Sequence, residues 1–189
     1  MRPNTLPLNL PMSLEERIAV VTGAGSGIGR ALAEELSRRG ACVVLAGRTE
    51  KALRETQERL SHPGSSAVVR ADVTSADDRR KLVSAVLPLG RVDLLFNNAG
   101  VLAVGPVAET DDATVERLLA TNVAAPFALV RDFLPLLHAS ERPRIVNVGS
   151  MFGDIAYPHF AAYSATKFAL RGFSNALRCE LKTSGIGVT

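Results

Sequence analysis

Residues 17–39, RIAVVTGAGSGIGRALAEELSRR, pass from an uninterrupted apolar run through a glycine-rich turn into a segment with helical periodicity. A strand that is apolar at nearly every position has no face left for water. It belongs inside a parallel sheet covered on both sides. The same alternation recurs along the chain. Strand-like runs fall at 17–22, 41–46, 67–73, 92–97 and 144–148, and helical patterns at 27–39, 50–60, 77–87, 110–120, 122–138 and 160–183. Right-handed crossovers then give a doubly wound α/β sheet, Rossmann-like, in the strand order 3-2-1-4-5. In the first helix Ile28, Leu32 and Leu36 share the packing face, and Glu34 and Arg38 pair at i,i+4 on the other.

The chain has 189 residues, 47% hydrophobic and 22% charged, enough for one domain with a real core. No linker or repeat divides it, so one domain is expected over 15–189. The Pro-rich residues 1–14 lack a continuous apolar segment and read as a flexible tail, with Met12 as an alternative start. Net charge is +3 without a basic stripe, which argues against nucleic-acid binding. No apolar stretch approaches the roughly 18 residues of a membrane helix. Cys42 and Cys179 show no metal spacing, and no metal site is expected. The pair suits a reducing cytoplasm.

The glycines between the first strand and helix have a chemical use. Gly23, Gly27 and Gly29 permit a tight turn and let the backbone approach a pyrophosphate, while the helix N-terminus offers free N–H groups. An acidic residue about 20 positions on would hold a ribose diol. Here Gly47 stands in that place and Arg48 follows, a cation able to pair with a 2′-phosphate. NADP(H) is therefore favoured over NAD(H), unless Glu50 claims the arginine.

Tyr163 and Lys167 are four residues apart in a helical pattern, so phenol and ammonium share a face. A free tyrosine titrates near pH ~10, and a neighbouring cation stabilises its phenolate. Ser150 follows the fifth strand, at the sheet edge where open α/β folds bind ligands. It reads either as a donor to a reacting oxygen or as a turn cap. Pro126 lies four residues after Asn122. If one helix holds both, the Asn122 carbonyl lacks an N–H partner; if Pro126 sits in a first turn, nothing is lost. His159 reads as a loop residue, and Asp111 and Asp112 as helix-start carboxylates.

TGAGSGIG (22–29), NNAG (97–100), Asn122, and Ser150 followed by YSATK (163–167) fall in one order. Together they resemble the short-chain dehydrogenase/reductase family, of the classical type, over essentially the whole chain from Glu16. The resemblance implies an oxidoreductase that exchanges hydride between a nicotinamide cofactor and a ketone, aldehyde or alcohol. It implies Tyr163 as general acid/base, Lys167 as its activating partner and a ribose contact, Ser150 as the substrate-polarising hydroxyl, and Asn122 as a proton-relay residue. Cofactor contacts would come from Gly23, Ser26, Gly27, Ile28, Gly29, Arg48, Asp72, Val73, Asn98, Ala99 and Gly100, with Tyr163 and Lys167. Val101, Leu102, Met151, Phe152 and Phe160 would make the substrate site apolar, and a homodimer or homotetramer is the implied assembly.

Relatives of this type continue past the point where this sequence stops. TSGIGVT reads as a turn and the opening of a sixth strand. The expectation is a sheet truncated at the C-terminal side, with its sixth and seventh strands missing and its fifth strand an unprotected edge. A chain that is a catalytically impaired dinucleotide-binding fragment is the alternative function.

Overall fold

The structure, a computed structural model, describes residues 14–189. The expected N-terminal tail and Met12 lie outside the described residues. Leu14, counted with the tail in the sequence, donates its N–H to the Arg39 carbonyl at 2.9 Å and packs against the core.

The sheet has six parallel strands among the described residues: β1 (Ile18–Thr22), β2 (Cys42–Gly47), β3 (Ser66–Arg70), β4 (Leu94–Asn97), β5 (Arg144–Asn147) and β6 (Gly187–Val188). Their order is β3-β2-β1-β4-β5-β6. The expected 3-2-1-4-5 arrangement is present, and the expectation of a missing sixth strand is corrected. Gly187 and Val188 pair with Arg144 and Ile145. The N–H of Gly187 reaches the Pro143 carbonyl, and Asn147 donates to Thr189 at 2.8 Å. The outer edge of β5 is thus covered rather than exposed.

Among the described residues six helices of two or more turns connect the strands: α1 (Gly27–Arg38), α2 (Glu50–Glu58), α3 (Ala76–Val86), α4 (Asp112–Leu119), α5 (Ala125–His138) and α6 (Ala161–Glu180). Successive strand residues point to opposite faces. Ala19, Val21, Val43 and Leu45 accordingly join Ala33, Leu36 and Leu53 of α1 and α2 in one cluster. Val20, Val44 and Leu95 join Leu82, Leu129 and Phe133 of α3 and α5 in the other. Both faces are covered, which is why the strands carry no polar alternation. Among the described residues no helix is long and apolar enough to cross a membrane.

Three local expectations change. Arg38 pairs with Glu35, not Glu34, and Arg39 joins it; hydrogen bonds from Arg38 and then Arg39 hold the Glu35 carboxyl down to about 2. Ile28 is 64% exposed: it leaves the packing face and lines the groove above the glycine turn instead. The two helices expected at 110–120 and 122–138 form one continuous run. A π-helical segment, Ala120–Ala124, joins α4 to α5.

Candidate active site

The β1–α1 turn is built by close approach. A Cβ on Gly29 would stand 2.3 Å from the Gly23 carbonyl oxygen, so only glycine lets α1 start against that turn. Gly27 has φ +52°, and nothing lies within 4 Å of where its Cβ would be. Ser26 is the N-cap of α1 and makes no capping bond with its side chain, and the first turn carries no acidic residue. The helix therefore presents free N–H groups and no negative charge to the space above Gly27. The turn is braced from behind. Arg30 donates to the Gly25 carbonyl at 2.5 Å and to Thr56 Oγ1 at 3.0 Å, and Thr56 donates to the Ala24 carbonyl at 2.9 Å.

NNAG is locked to the same turn through Thr22. The Thr22 hydroxyl donates to the Phe96 carbonyl and accepts the N–H groups of Asn98 and Ala99, each at 3.0 Å. Asn98 Nδ2 donates back to the Thr22 carbonyl at 2.8 Å. Sequence reasoning did not single out Thr22. Its signal was available: the one polar residue closing an apolar strand, buried completely.

These elements enclose a groove of about 550 Å³. Gly23, Ser26, Gly27, Ile28, Gly29, Arg48, Asp72, Val73, Asn98, Ala99 and Gly100 all line it, so the structure gathers every expected cofactor residue except Tyr163 and Lys167. Asp72 and Val73 lie just past the end of β3, which stops at Arg70 rather than 73. Asp72 Oδ1 accepts from the N–H and hydroxyl of Thr74 at 2.9 and 2.7 Å. Glu50 does not claim Arg48: it pairs with Arg54 one turn on. Thr74, Arg117 and Thr121 also line the groove and were missed.

A second cluster stands at the C-terminal edge of β5. Lys167 Nζ lies 5.7 Å from the centroid of the Tyr163 ring and donates to the Val148 carbonyl at 2.9 Å. The lysine is 8% exposed, and this burial pushes its ammonium pKa down. Ser150 caps a short 3-10 turn, Met151–Gly153, accepting the Phe152 N–H at 3.2 Å. The turn-cap reading of Ser150 therefore holds. A hydroxyl that accepts there still has its own proton to donate.

Two side-chain links run from β4 to β5 and from β5 to α6. Asn97 Nδ2 donates to Asn147 Oδ1, and Asn147 Nδ2 to Ser174 Oγ, both at 2.8 Å. Buried Asn122 clamps the loop after β4. Its Oδ1 accepts the Val101 N–H at 2.9 Å; its Nδ2 donates to the Val101 carbonyl at 2.9 Å and to Thr166 Oγ1 at 3.1 Å. Pro126 lies inside the continuous helix, four residues on, with no N–H to offer the Asn122 carbonyl. Groove and cluster meet at Gly100, where a Cβ would be 3.4 Å from Asn122 Oδ1 and 4.0 Å from Lys167 Nζ.

The surroundings of Tyr163 are apolar. Its ring stands edge-on to Phe152 at 6.2 Å, and Phe152 stacks at 4.6 Å on Phe160. Met151, Ile155 and Tyr157 are exposed in the segment before Tyr163, and Leu102 and Val104 in the loop after β4. Their two loops are joined where Gly105 N–H meets the His159 carbonyl at 2.9 Å, with His159 itself at φ +67°.

The family model described as short chain dehydrogenase matches residues 17–189. The chain is 41% identical over 177 residues to 11-beta-hydroxysteroid dehydrogenase A of Sesamum indicum, an alignment covering 92% of this chain and 50% of that protein. This chain thus spans about half the length of that relative. Among solved structures it is similar to an actinorhodin polyketide ketoreductase with NADPH, at 36% identity and TM-score 0.87, covering 92% of this chain and 68% of the other. It is also similar to the RhlG/NADP complex of Pseudomonas aeruginosa, at 35% identity and TM-score 0.87, covering 93% and 71%.

Proposed function

This chain belongs to the short-chain dehydrogenase family, and from that premise we propose that it interconverts an apolar ketone or aldehyde and its alcohol with NADP(H). The observation that carries the reading is the buried Lys167 ammonium 5.7 Å from the Tyr163 ring, beside a groove that gathers the dinucleotide residues.

The groove fits such a cofactor. Its floor stays open above Gly27, its helix end carries no acid, and Arg48 makes no side-chain bond among the described residues. The α1 N–H groups and the glycine turn would hold the pyrophosphate, Arg48 the 2′-phosphate, Asp72 and Val73 the adenine, and Asn98 to Gly100 the ribose side. When bound, the nicotinamide cofactor supplies or accepts the hydride.

The chain's own residues manage the proton. The Tyr163 hydroxyl gives its proton to the substrate oxygen, and the Lys167 charge stabilises the oxygen left behind. Ser150 donates to the same substrate oxygen and offsets the charge developing on it. The Asn122 main-chain carbonyl, in the π-helical turn that precedes Pro126, is a station for the water that replaces the proton. The apolar rings and loops around Tyr163 select a hydrophobic substrate. Exposed Leu119, Phe127 and Phe168 on the helices support assembly into a homo-oligomer, and the free thiols of Cys42 and Cys179 fit a reducing cytoplasm.

The test is Tyr163→Phe, assayed by loss of NADPH absorbance against a panel of apolar carbonyls. Turnover should fall at least about a hundredfold, with NADPH affinity and melting temperature those of the parent. Turnover within a few-fold of the parent would overturn the assignment.

A further inference from the structure

Three arginines stand at or near the dinucleotide groove, and their commitments differ. Arg30 is occupied in bracing the glycine turn. Arg48 and Arg117 both line the groove, and the side chain of neither forms a hydrogen bond or ion pair among the described residues. Arg48 has a role in the proposed function; Arg117 has none.

Arg117 belongs to a built wall. It lines the groove with Ala120 and Thr121, three and four residues further along the same helical run, so one helix face supplies all three. Asp72, Val73 and Thr74 line the groove after β3. The two walls are neighbours, since Thr74 and Ala120 also share the lining of an adjoining cavity. Ala71, Ala99 and Ala120 line the same groove, small side chains that leave room for a flat ring. Asp72 brings acceptor oxygens to this end, matching an exocyclic amino group. Arg117 brings a planar cation that no hydrogen bond or ion pair holds among the described residues, with the Asp111 carboxylate its nearest opposing charge in electrostatic effect, and guanidinium planes stack on nucleobases.

We propose that Arg117 covers the adenine ring of the bound dinucleotide, its guanidinium plane stacked on the base. The proposal rests on the dinucleotide reading given above. Arg117 then differs in kind from Arg48: it senses the adenine that NADPH and NADH share, whereas Arg48 senses the phosphate that distinguishes them.

Fluorescence titration of the parent chain, Arg117→Ala and Arg117→Lys with NADPH and with NADH tests this. Arg117→Ala should weaken both cofactors alike by about five- to tenfold, the scale of a half-exposed planar-cation stack. Arg117→Lys should not restore the affinity, because an ammonium has charge but no plane. Unchanged affinity in Arg117→Ala overturns the proposal. So does a loss confined to NADPH that Arg117→Lys repairs, which marks a point charge on a phosphate. A parent that binds neither cofactor overturns the dinucleotide reading itself, and the adenine contact with it.

Discussion

Replacing Asn122 by aspartate separates a structural clamp from a proton relay. The side chain is 1% exposed and makes three hydrogen bonds. Val101 fixes its orientation, since the residue offers one N–H to Oδ1 and one carbonyl to Nδ2. Aspartate is the same shape. It keeps the acceptor for the Val101 N–H, but sets a carboxylate oxygen against the Val101 carbonyl and gives no proton to Thr166. Two lost donations cost about 1 kcal/mol each, and the unpaired buried groups add about 1–3 more, giving about 3–5 kcal/mol. For a chain of this size that is about 10 °C of melting temperature. The loss should depend on pH in a defined direction. Burial and the facing carbonyl raise the folded-state pKa of the new carboxyl above its unfolded value, so the protonated form fits the site and restores one donor. The deficit against the parent is then smallest near the unfolded pKa and grows as pH rises toward the folded one. Differential scanning calorimetry of both proteins at about pH 5 and about pH 8 reads this, with the larger gap expected at the higher pH. A variant that melts within about 2 °C of the parent at the higher pH would refute the clamp.

Arg48→Ala should weaken NADPH by about one to two orders of magnitude in a binding titration and leave NADH nearly unchanged, the size of a charge-assisted bond. Gly29→Ala places a methyl 2.3 Å from the Gly23 carbonyl and 2.5 Å from Asn98 Nδ2. The main chain must move, so about 3 kcal/mol of stability and all measurable NADPH binding should be lost, as urea unfolding and titration would show. Asp93 predicts the acid limb of stability. Burial alone would raise its carboxyl, but donors from Ser140, the Ile18 N–H, Arg17 and Arg91 hold it below the usual value. Its contribution is present above the unfolded carboxylate pKa of about 4 and is lost as pH falls toward the folded one. Asp93→Asn should flatten that limb in acid-unfolding curves.

What the sequence made legible follows from which forces are local. The apolar runs at 17–22 and 41–46 declared strands covered on both faces, and the sheet places β1 and β2 at its centre, one residue shifted at their starts. The glycine turn was legible because a backbone close approach tolerates only one residue type. The two-residue β6 was under-read because its evidence is pairing: it becomes a strand through the N–H groups of Gly187 and Thr189, which donate to the carbonyls of Pro143 and Ile145 more than forty residues earlier. The π segment escaped for a related reason. Its residues, ATNVA, carry no local mark that separates a π turn from an α turn, and the pattern on either side reads as helix. Arg117 gave no signal, since a lone arginine on a polar helix face is read as solvated.

The two glycines that bracket the site show why sequence motif and chemical role are not the same evidence. Gly29 is demanded by the protein itself: its missing Cβ is where the Gly23 carbonyl stands. Gly100 is not. A Cβ there would make contacts of 3.4 Å to Asn122 Oδ1 and 4.0 Å to Lys167 Nζ, which a folded protein accommodates, and its φ lies outside the left-handed region. The reason for glycine at that position must therefore come from the side facing the groove. There, at the junction of the dinucleotide groove and the Tyr163–Lys167 cluster, a side chain would occupy the space through which a dinucleotide bound as proposed would reach Tyr163 and Lys167.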